Sequence, residues 1–459
     1  MLDLVLLAFL AAMLALGLRR PFVWVLAYIY VDIVAPQKIG WVILPSVKAS
    51  LVTFVLAFCG WLLFDTKQGS RITFRQGLLL MLLIWCAFTT SIADFPESAA
   101  TKWAWVWKSM LFALFIPLAL RTRLRLESAV LVMVLSLSAI VISGGIKTAL
   151  GGGGYGLLVT LSSDNSGIYE GSTLSAVAVA SVPLVWWLAR HGSIFPAKNR
   201  LVMLFAIALT GACMLIPIGT QTRTGLLCIA FLGVLMMRTV RHRFLYAAAA
   251  GVLVLASIPF LPQSYQDRMT TIVDHQSDQS ASTRVEVWKW TLRYVAENPL
   301  GGGFDSFYGN SFTYETVKQV QNGSVITTER QEVTESGRAF HSAYFEVLGE
   351  QGIPGFALWA LLHITGLISM ERLRRRGRAS DDPDMQRWGS LANALQQVQL
   401  VYLMGSLFVG IAYQPFILMV LGVQMALSTL IANDDSARRE RDRKQRLAAN
   451  RSRAQELAV

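Results

Sequence analysis

Charged residues are what this sequence lacks most. Only 15% of its 459 residues are charged, whereas 54% are hydrophobic, and the mean hydropathy is +0.48. Soluble globular proteins carry about 25% charged residues. The deficit therefore predicts an integral membrane protein that leaves little sequence for a soluble domain.

Cysteine and histidine are also scarce, and neither is arranged as in a metal site. The four cysteines lie in apolar runs without CxxC spacing, and the five histidines are isolated from one another. Walker A, HExxH and GxSxG motifs are absent, and the GGGGYG run at 151–156 follows an apolar run instead of a strand. We therefore expect no metal, no nucleotide and no other cofactor.

Long apolar runs are the main feature that the sequence does contain. A helix needs about 20 residues to cross a hydrocarbon core of about 30 Å. Runs that meet or approach this length lie at residues 2–18, 21–36, 46–64, 77–93, 104–120, 127–146, 172–189, 201–219, 224–237, 244–261, 353–370, 389–411 and 414–432. The pattern predicts an all-α polytopic membrane protein with about 12–13 transmembrane helices.

The basic residues are distributed unevenly between the two sides of these predicted spans. Alternate connections hold 28 of the 41 Lys and Arg residues, and the positive-inside rule assigns those connections to the cytoplasm. The net charge of +12 is then an orientation signal. We expect it to contact membrane lipids and not nucleic acid.

This topology divides the chain into four parts. Transmembrane helices in residues 1–261 precede a large periplasmic loop in residues 262–352. Further transmembrane helices in residues 353–432 precede a basic cytoplasmic tail in residues 433–459. A loop of that length between membrane helices is usually functional or a small domain.

The large loop is predicted to contain two helices. An amphipathic pattern over residues 282–297 predicts the first, which an Asn-Pro pair ends. A second helix is predicted over residues 339–351, ending at Gly352. The Thr-rich stretch between them, residues 310–336, is compatible with short strands or with disorder.

Basic side chains on the outer side are the candidates for substrate binding. Arg223 lies in a polar break between two apolar runs, and Arg284 lies on the amphipathic helix of the loop. Two planar guanidinium groups near the outer leaflet suit a diphosphate. The alternatives are that Arg223 only extends its charge to the interface, and that Arg284 only faces solvent or pairs with Glu286.

His341 is the candidate for proton transfer. It lies at the predicted start of the second loop helix, beside Arg338 and Tyr344. An imidazole with an ordinary pKa of about 6.5 can accept a proton near neutral pH. The simpler alternative is that His341 only orders the loop through a hydrogen bond.

Three segments carry a resemblance to a known family. TQTRTGLL (220–227), STRVEVWKWTLRYVAENPLGGGF (282–304) and FHSAYFEVLGEQGIPG (340–355) resemble, in this order, the signature blocks of the O-antigen ligase and polymerase superfamily. Ser342 stands where many members have Asn. The segment VLAYIYVDIVAPQKIGW (25–41) resembles a subgroup of O-glycosylation ligases associated with exosortase systems.

The resemblance implies a bacterial inner-membrane glycosyltransferase with a GT-C-like helical fold. It would use a polyprenyl-diphosphate-linked glycan and need neither nucleotide sugar nor metal. Carried over to this sequence, Arg223 and Arg284 would bind the diphosphate, and His341 would be catalytic, acting on the acceptor hydroxyl or the leaving group. We assign Arg338 to the diphosphate as well.

The sequence thus predicts a ligase that transfers a glycan en bloc, with inversion, from undecaprenyl diphosphate to lipid A-core in the periplasm. A protein Ser/Thr or a growing glycan could be the acceptor instead, and the sequence does not separate these possibilities. An alternative of another class is a transporter or flippase of the same lipid-linked glycan. Against it, the candidate residues gather at one interface, and no repeat halves and no charged residues in the middle of the spans are evident.

Overall fold

The computed structural model of this chain describes residues 2–40, 42–151, 167–196, 198–238, 279–322 and 325–456. The predicted span at 244–261 lies outside the described residues, as does the first part of the large loop. Within them, most of the chain is helical.

The predicted apolar runs that the structure describes fold into helices, several of which begin at a side-chain cap. The fifth helix begins at a capping box, in which the Gln76 amide donates to Thr73 Oγ1 (3.2 Å) and the Thr73 amide donates to Gln76 Oε1 (2.8 Å). The described helices are α1 (Leu2–Arg19), α2 (Phe22–Val34), α3 (Pro36–Ile39), α4 (Ala49–Phe64), α5 (Phe74–Ser91), α6 (Pro96–Ala119), α7 (Arg123–Ala149), α8 (Gly171–His191), α9 (Arg200–Gly219), α10 (Arg223–Met237), α11 (Gln279–Glu297), α12 (Ala343–Arg378), α13 (Pro383–Gly405) and α14 (Pro415–Glu456).

Many of these helices are suited to a membrane. Six described helices are long and apolar enough to cross one, namely α5, α7, α8, α9, α12 and α14. Three more, α2, α4 and α10, are apolar but shorter. The prediction of a helical multi-pass membrane protein is therefore confirmed.

Helix α8 lies at the centre of the bundle, because most of its side chains are buried from Thr173 to Leu188. A polar network crosses the core beside it. Arg75 Nη1 donates to Gln424 Oε1 (2.9 Å), and Gln424 Nε2 donates to Gln399 Oε1 (2.9 Å). Two charged side chains lie near helix ends, Arg75 at the start of α5 and Asp32 near the end of α2. Both are hydrogen-bonded, as buried charges require.

Four of the basic connections lie at the same end of the bundle. Ion pairs join them: Arg121 with Asp65 (2.6 Å), Arg123 with Asp384 (3.3 Å) and Arg438 with Asp382 (2.6 Å). The last pair also holds the start of the basic tail, which continues α14 without a break. Charges that the sequence places on one side of the membrane are thus in mutual contact.

The large loop packs on the opposite end and contains a hairpin. Helix α11 ends at Glu297, as predicted. Strands β1 (Ser311–Asn322) and β2 (Val325–Ser336) pair antiparallel, with Ser311 opposite Ser336. Of the two possibilities for residues 310–336, strands are observed. The start of β1 packs on α11 through a small apolar cluster that contains Val287, Phe312 and Phe340.

Helix α12 is broken at Gly352, and a glycine run occupies the break. Gly352 has φ 63° and ψ −167°, and a Cβ there would lie 2.3 Å from the carbonyl oxygen of Pro299. The amides of Gly302 and Gly303 donate to the carbonyls of Gly349 (3.0 Å) and Glu350 (2.9 Å). Only glycine permits this close backbone contact. The prediction that the second loop helix ends at Gly352 is confirmed, and after this break the chain resumes helical geometry and continues to Arg378.

Candidate active site

His341 lies just before α12, on a tightly fixed turn. It has φ 47°, in the left-handed region that non-glycine residues rarely adopt. On one side of it, Trp288 Nε1 donates to the carbonyl of Phe340 (3.0 Å). On the other, the amide of Ala343 donates to the carbonyl of Ser406 (2.8 Å). The sequence had suggested that His341 opens the helix, but His341 instead precedes it. Packing from α11 and α13 maintains its backbone strain.

A cavity of about 370 Å³ opens in front of His341. Arg284 lines the same cavity, although it comes from α11 and is 57 residues away in the chain. The remaining lining residues are Lys102, Gly167, Glu170, Ser172, Thr173, Phe307, Ala339, Phe340, Glu346, Glu350, Phe408, Val409, Gly410 and Gln414. The structure thus brings together two of the predicted site residues.

The environment of His341 favours the neutral imidazole. Burial lowers the pKa of His341 below its usual value of 6.5, and the positive charges of Arg284 and Arg338 lower it further. The carboxylate of Glu170 opposes this shift. An imidazole that is neutral near pH 7 can accept a proton from a hydroxyl group.

Glu170 was not identified from the sequence, although it faces the same cavity. Its carboxylate caps the N-terminus of α8, where it accepts from the amides of Ser172 (3.0 Å) and Thr173 (2.6 Å). These contacts fix the carboxylate and satisfy helix amides that would otherwise lack partners. An acidic residue directly before an apolar run was the signal for this cap.

Arg338 lies outside the residues that line the cavity. Its guanidinium is paired with Glu335, through Nε to Oε2 (2.6 Å) and Nη2 to Oε1 (2.8 Å), and its side chain is 54% exposed. The pair lowers the pKa of the Glu335 carboxyl. Arg338 nevertheless contributes to the positive potential at His341.

Arg223 is the first residue of α10 and lies one helix away from the cavity. The preceding residue, Thr222, donates its hydroxyl proton to Ser175 Oγ on α8 (2.9 Å). Ser175 follows the cavity-lining residues Ser172 and Thr173 on the same helix. Arg223 thus directly follows a residue that contacts the N-terminal part of α8, and it is not among the described residues that line the cavity.

A buried lysine, Lys102 of α6, lies at the floor of the cavity. Its ammonium group is 2.8 Å from Glu346 Oε1, 2.7 Å from Glu350 Oε1 and 3.6 Å from Asp305 Oδ1. It also lies 5.4 Å from the centre of the Tyr413 ring. Three carboxylates around one ammonium satisfy the charge of Lys102 and leave the cluster with an excess of negative charge if all are ionised.

Hydrogen bonds from backbone amides to the glutamates of this cluster connect four segments of the chain. Glu346 Oε2 accepts from the amide of Ala412 (3.0 Å), and Glu350 Oε1 accepts from the amide of Asp305 (3.0 Å). Asp305 directly follows the glycine run that fills the α12 break. The cluster was not identified from the sequence. Its signals there were a lysine near an outer helix end and two glutamates at i, i+4 in the His341 segment.

Within the described ranges, no group of three His, Cys, Asp and Glu side chains is arranged to hold a metal ion. The expectation that the protein needs no metal and no cofactor stays a prediction. The four cysteines are free thiols.

Comparison with known families divides the chain into two regions. Residues 1–193 match the model of a family of unknown function (DUF5935). Residues 205–360 match the family model described as O-antigen ligase. No curated protein matches the chain. The second match spans α9 to the start of α12 and includes Arg223, Arg284, Arg338 and His341. Residues 205–360 are thus similar to the O-antigen ligase family, which confirms the resemblance seen in the sequence blocks.

Proposed function

We propose that this protein is a glycosyltransferase that moves a glycan en bloc from undecaprenyl diphosphate to lipid A-core. The observation that carries the proposal is the shared cavity of His341 and Arg284. A proton acceptor and a permanent cation face the same space, and both lie in the region matched to O-antigen ligase. An O-antigen ligase or polymerase type of reaction follows from the family, while the donor, the acceptor and the mechanism are our proposal.

The proposed reaction is a single displacement at the anomeric carbon. The acceptor hydroxyl oxygen forms the new bond to that carbon, while the bond from the carbon to the diphosphate oxygen breaks and its electron pair leaves with the diphosphate. The hydroxyl proton passes to His341, whose pKa is lowered by burial and by nearby arginines. Inversion of configuration follows from attack opposite the leaving group.

The diphosphate needs positive charge as it leaves. Arg284 supplies it directly from the cavity wall. Arg338 and Arg223 lie nearby, and we propose that they contact the diphosphate or its lipid-proximal end. Arg338 would have to exchange its pairing with Glu335 for the phosphate oxygens. A bidentate guanidinium contact is the favoured geometry for such groups.

The cavity is proposed to face the periplasm. His341 lies at the end of the bundle away from the ion-paired basic connections, and the positive-inside rule assigns those connections to the cytoplasm. A reporter enzyme fused near residue 310 should therefore be active only outside the cytoplasm, and one fused near residue 378 only inside. The reversed pattern would contradict the proposed orientation in the inner membrane.

A reconstituted assay tests the activity and identifies the acceptor. Purified protein in detergent is mixed with a labelled undecaprenyl-diphosphate-linked glycan and, in separate reactions, with lipid A-core, with a Ser/Thr-containing protein or with a second lipid-linked glycan. Label on lipid A-core supports the proposal. Label on protein or on an extended glycan indicates an O-oligosaccharyltransferase or a polymerase. Movement of the lipid across vesicles without covalent product indicates a flippase.

The control for this assay is a histidine far from the cavity. His191 lies at the opposite end of α8 and is exposed. The variant His191→Ala should transfer normally, whereas His341→Ala should not. Equal loss in both variants would indicate general destabilisation, and the assay would then give no support to a role for His341.

A further inference from the structure

A second cavity, of about 520 Å³, adjoins the one in front of His341. The two cavities share wall residues, including Lys102, Glu346 and Gly410. A molecule in the second cavity would therefore extend toward His341. The second cavity is the larger of the two, and the proposed reaction does not yet use it.

The N-terminal region provides much of this second cavity. Asp32 comes from α2, Gln37 from α3, and Thr101 and Trp105 from α6. All four lie within residues 1–193, the region matched to the family of unknown function. The opposite wall contains Tyr413, which lies just before α14. The region without an assigned role thus faces the proposed reaction site.

The polar groups of the cavity suit a ligand rich in hydroxyl groups. The Asp32 carboxylate is held in place by the hydroxyls of Ser50 (3.2 Å) and Ser109 (3.2 Å). The side-chain carbonyl oxygen of Gln37 is buried and has no hydrogen-bond partner among the described residues. Buried acceptors of this kind normally have a donor. A hydroxyl group can donate to one such oxygen and accept from another group at the same time.

Aromatic rings supply the apolar part of the same wall. Trp105 is 37% exposed, and Tyr413 lines the same cavity. A pyranose ring has a C–H face that packs on such rings and a rim of hydroxyls that needs polar partners. Indole and phenol side chains provide both kinds of surface.

The charge of the wall argues against a phosphate group in this cavity. Its ionisable residues are three carboxylates, Asp32, Asp305 and Glu346, and two ammonium groups, Lys38 and Lys102. Lys102 is already engaged by Glu346 and Glu350. A phosphate would meet a wall with no excess of positive charge. The five ionisable side chains in the lining also argue against an acyl chain, because such groups are costly to bury against hydrocarbon.

We infer that the second cavity is a carbohydrate subsite, in which the N-terminal region holds the sugar that reacts in front of His341. This inference rests on the proposed glycosyl transfer and gives the region matched to the family of unknown function a role in substrate recognition. The sugar could belong to the acceptor or to the donor glycan, since both offer the same pyranose chemistry.

Two lipid-free oligosaccharides serve as probes, and the full-length protein in detergent is titrated with each. One is the core oligosaccharide released from lipopolysaccharide by mild acid, which represents the acceptor. The other is the glycan released from the lipid-linked donor. The test variants are Trp105→Ala and Gln37→Leu. The matched control is Trp186→Ala, which removes a half-buried tryptophan on α8, six residues from the cytoplasmic-end residue Gly192.

We expect Trp105→Ala and Gln37→Leu to weaken binding of one oligosaccharide about ten-fold, with the affinity for undecaprenyl diphosphate unchanged. In the transfer assay the same variants should raise KM for that substrate and leave kcat nearly unchanged. The oligosaccharide affected identifies the source of the sugar. Wild-type affinity of both variants for both oligosaccharides, or equal weakening in Trp186→Ala, overturns the inference.

The experiment separates this inference from the proposed function. If the wild-type protein transfers no glycan but binds an oligosaccharide in a Trp105-dependent way, the proposed function fails and the carbohydrate subsite stands. If transfer occurs and neither variant changes oligosaccharide binding or KM, the subsite fails and the proposed function stands.

Discussion

The indole of Trp288 stacks on the ring of Phe345, with ring centroids 4.9 Å apart and an angle of 4° between their planes. Trp288 lies one helical turn after Arg284 on α11, and Phe345 lies four residues after His341 on α12. The same indole also donates to the carbonyl of Phe340. This stack therefore sets the relative position of the two residues that face the cavity.

Loss of the stack should reduce transfer, although the stack itself does not contact the substrate. We expect Trp288→Ala to lower kcat about 10²-fold, because misplacement of a reacting group by about 1 Å has an effect of that size. Trp288→Phe keeps a ring in the stack and should recover most of the rate. The measurement is the rate at saturating donor and acceptor. Equal rates for the Ala variant and wild type would show that α11 does not position the site.

Replacement of His341 separates proton transfer from positioning. A general base contributes about 10²–10⁴-fold, so His341→Ala should lose at least that factor in rate while binding of the lipid donor persists. His341→Gln retains hydrogen bonding but cannot take the proton, and we expect it to be as slow as the Ala variant. Near-normal transfer by His341→Gln would make His341 a positioning residue and require another base, with Glu346 the carboxylate in the same cavity.

The pH dependence should reflect the surroundings of His341. Its pKa lies below 6.5 because of burial and of Arg284, so kcat/KM should rise with pH, with the midpoint of the rise below pH 6.5. Arg284→Gln removes a positive charge and should move the rise to higher pH. Glu170→Gln removes the charge that opposes the shift and should move the rise to lower pH. Profiles of the two variants that shift in the same direction, or not at all, would contradict His341 as the titrating group.

The lysine cluster should matter chiefly for stability. Lys102→Met leaves Glu346, Glu350 and Asp305 without their cation, and removal of one partner from a buried ion pair typically costs about 3–5 kcal/mol. Thermal unfolding in detergent should show the loss. Adding Glu350→Gln to Lys102→Met removes a carboxylate that is fully buried and should recover part of it. If Lys102→Met alone were as stable as wild type, the carboxylates would already be protonated in the wild-type protein.

Lysine should replace Arg223 and Arg284 only in part. Truncation of Arg223 or Arg284 removes a charge-assisted contact worth about 1.5–3 kcal/mol, and should reduce transfer about 10- to 150-fold with normal expression. Arg→Lys keeps the charge and loses the planar fork, so only partial recovery is expected. The control is Arg293→Lys, on the same helix as Arg284 but away from the cavity-lining residues. Full activity of both Arg223→Lys and Arg284→Lys would mean that charge alone is needed.

Local sequence patterns were sufficient for the helices and for part of the site. Apolar periodicity located α11, and the Asn-Pro pair ended it at Glu297. His341 and Arg284 were identified from short segments, and the structure places both at one cavity. The helix end at Gly352 was predicted, but its close contact with residues 299–301 was not, because those residues are distant in the sequence. Lys102 was missed for the same reason, since its partner Glu350 is 248 residues away in the sequence.

The contact between the glycine run and α12 also has a consequence for biosynthesis. The amides of Gly302 and Gly303 can meet the carbonyls of Gly349 and Glu350 only after the later residues have emerged from the ribosome and α12 has entered the membrane. Until then the loop lacks these two contacts, although Gly302 can already accept from the amide of Asp94. The end of the protein that contains the cavity is therefore completed late in synthesis, and we expect a nascent chain halted before α12 to lack the complete cavity.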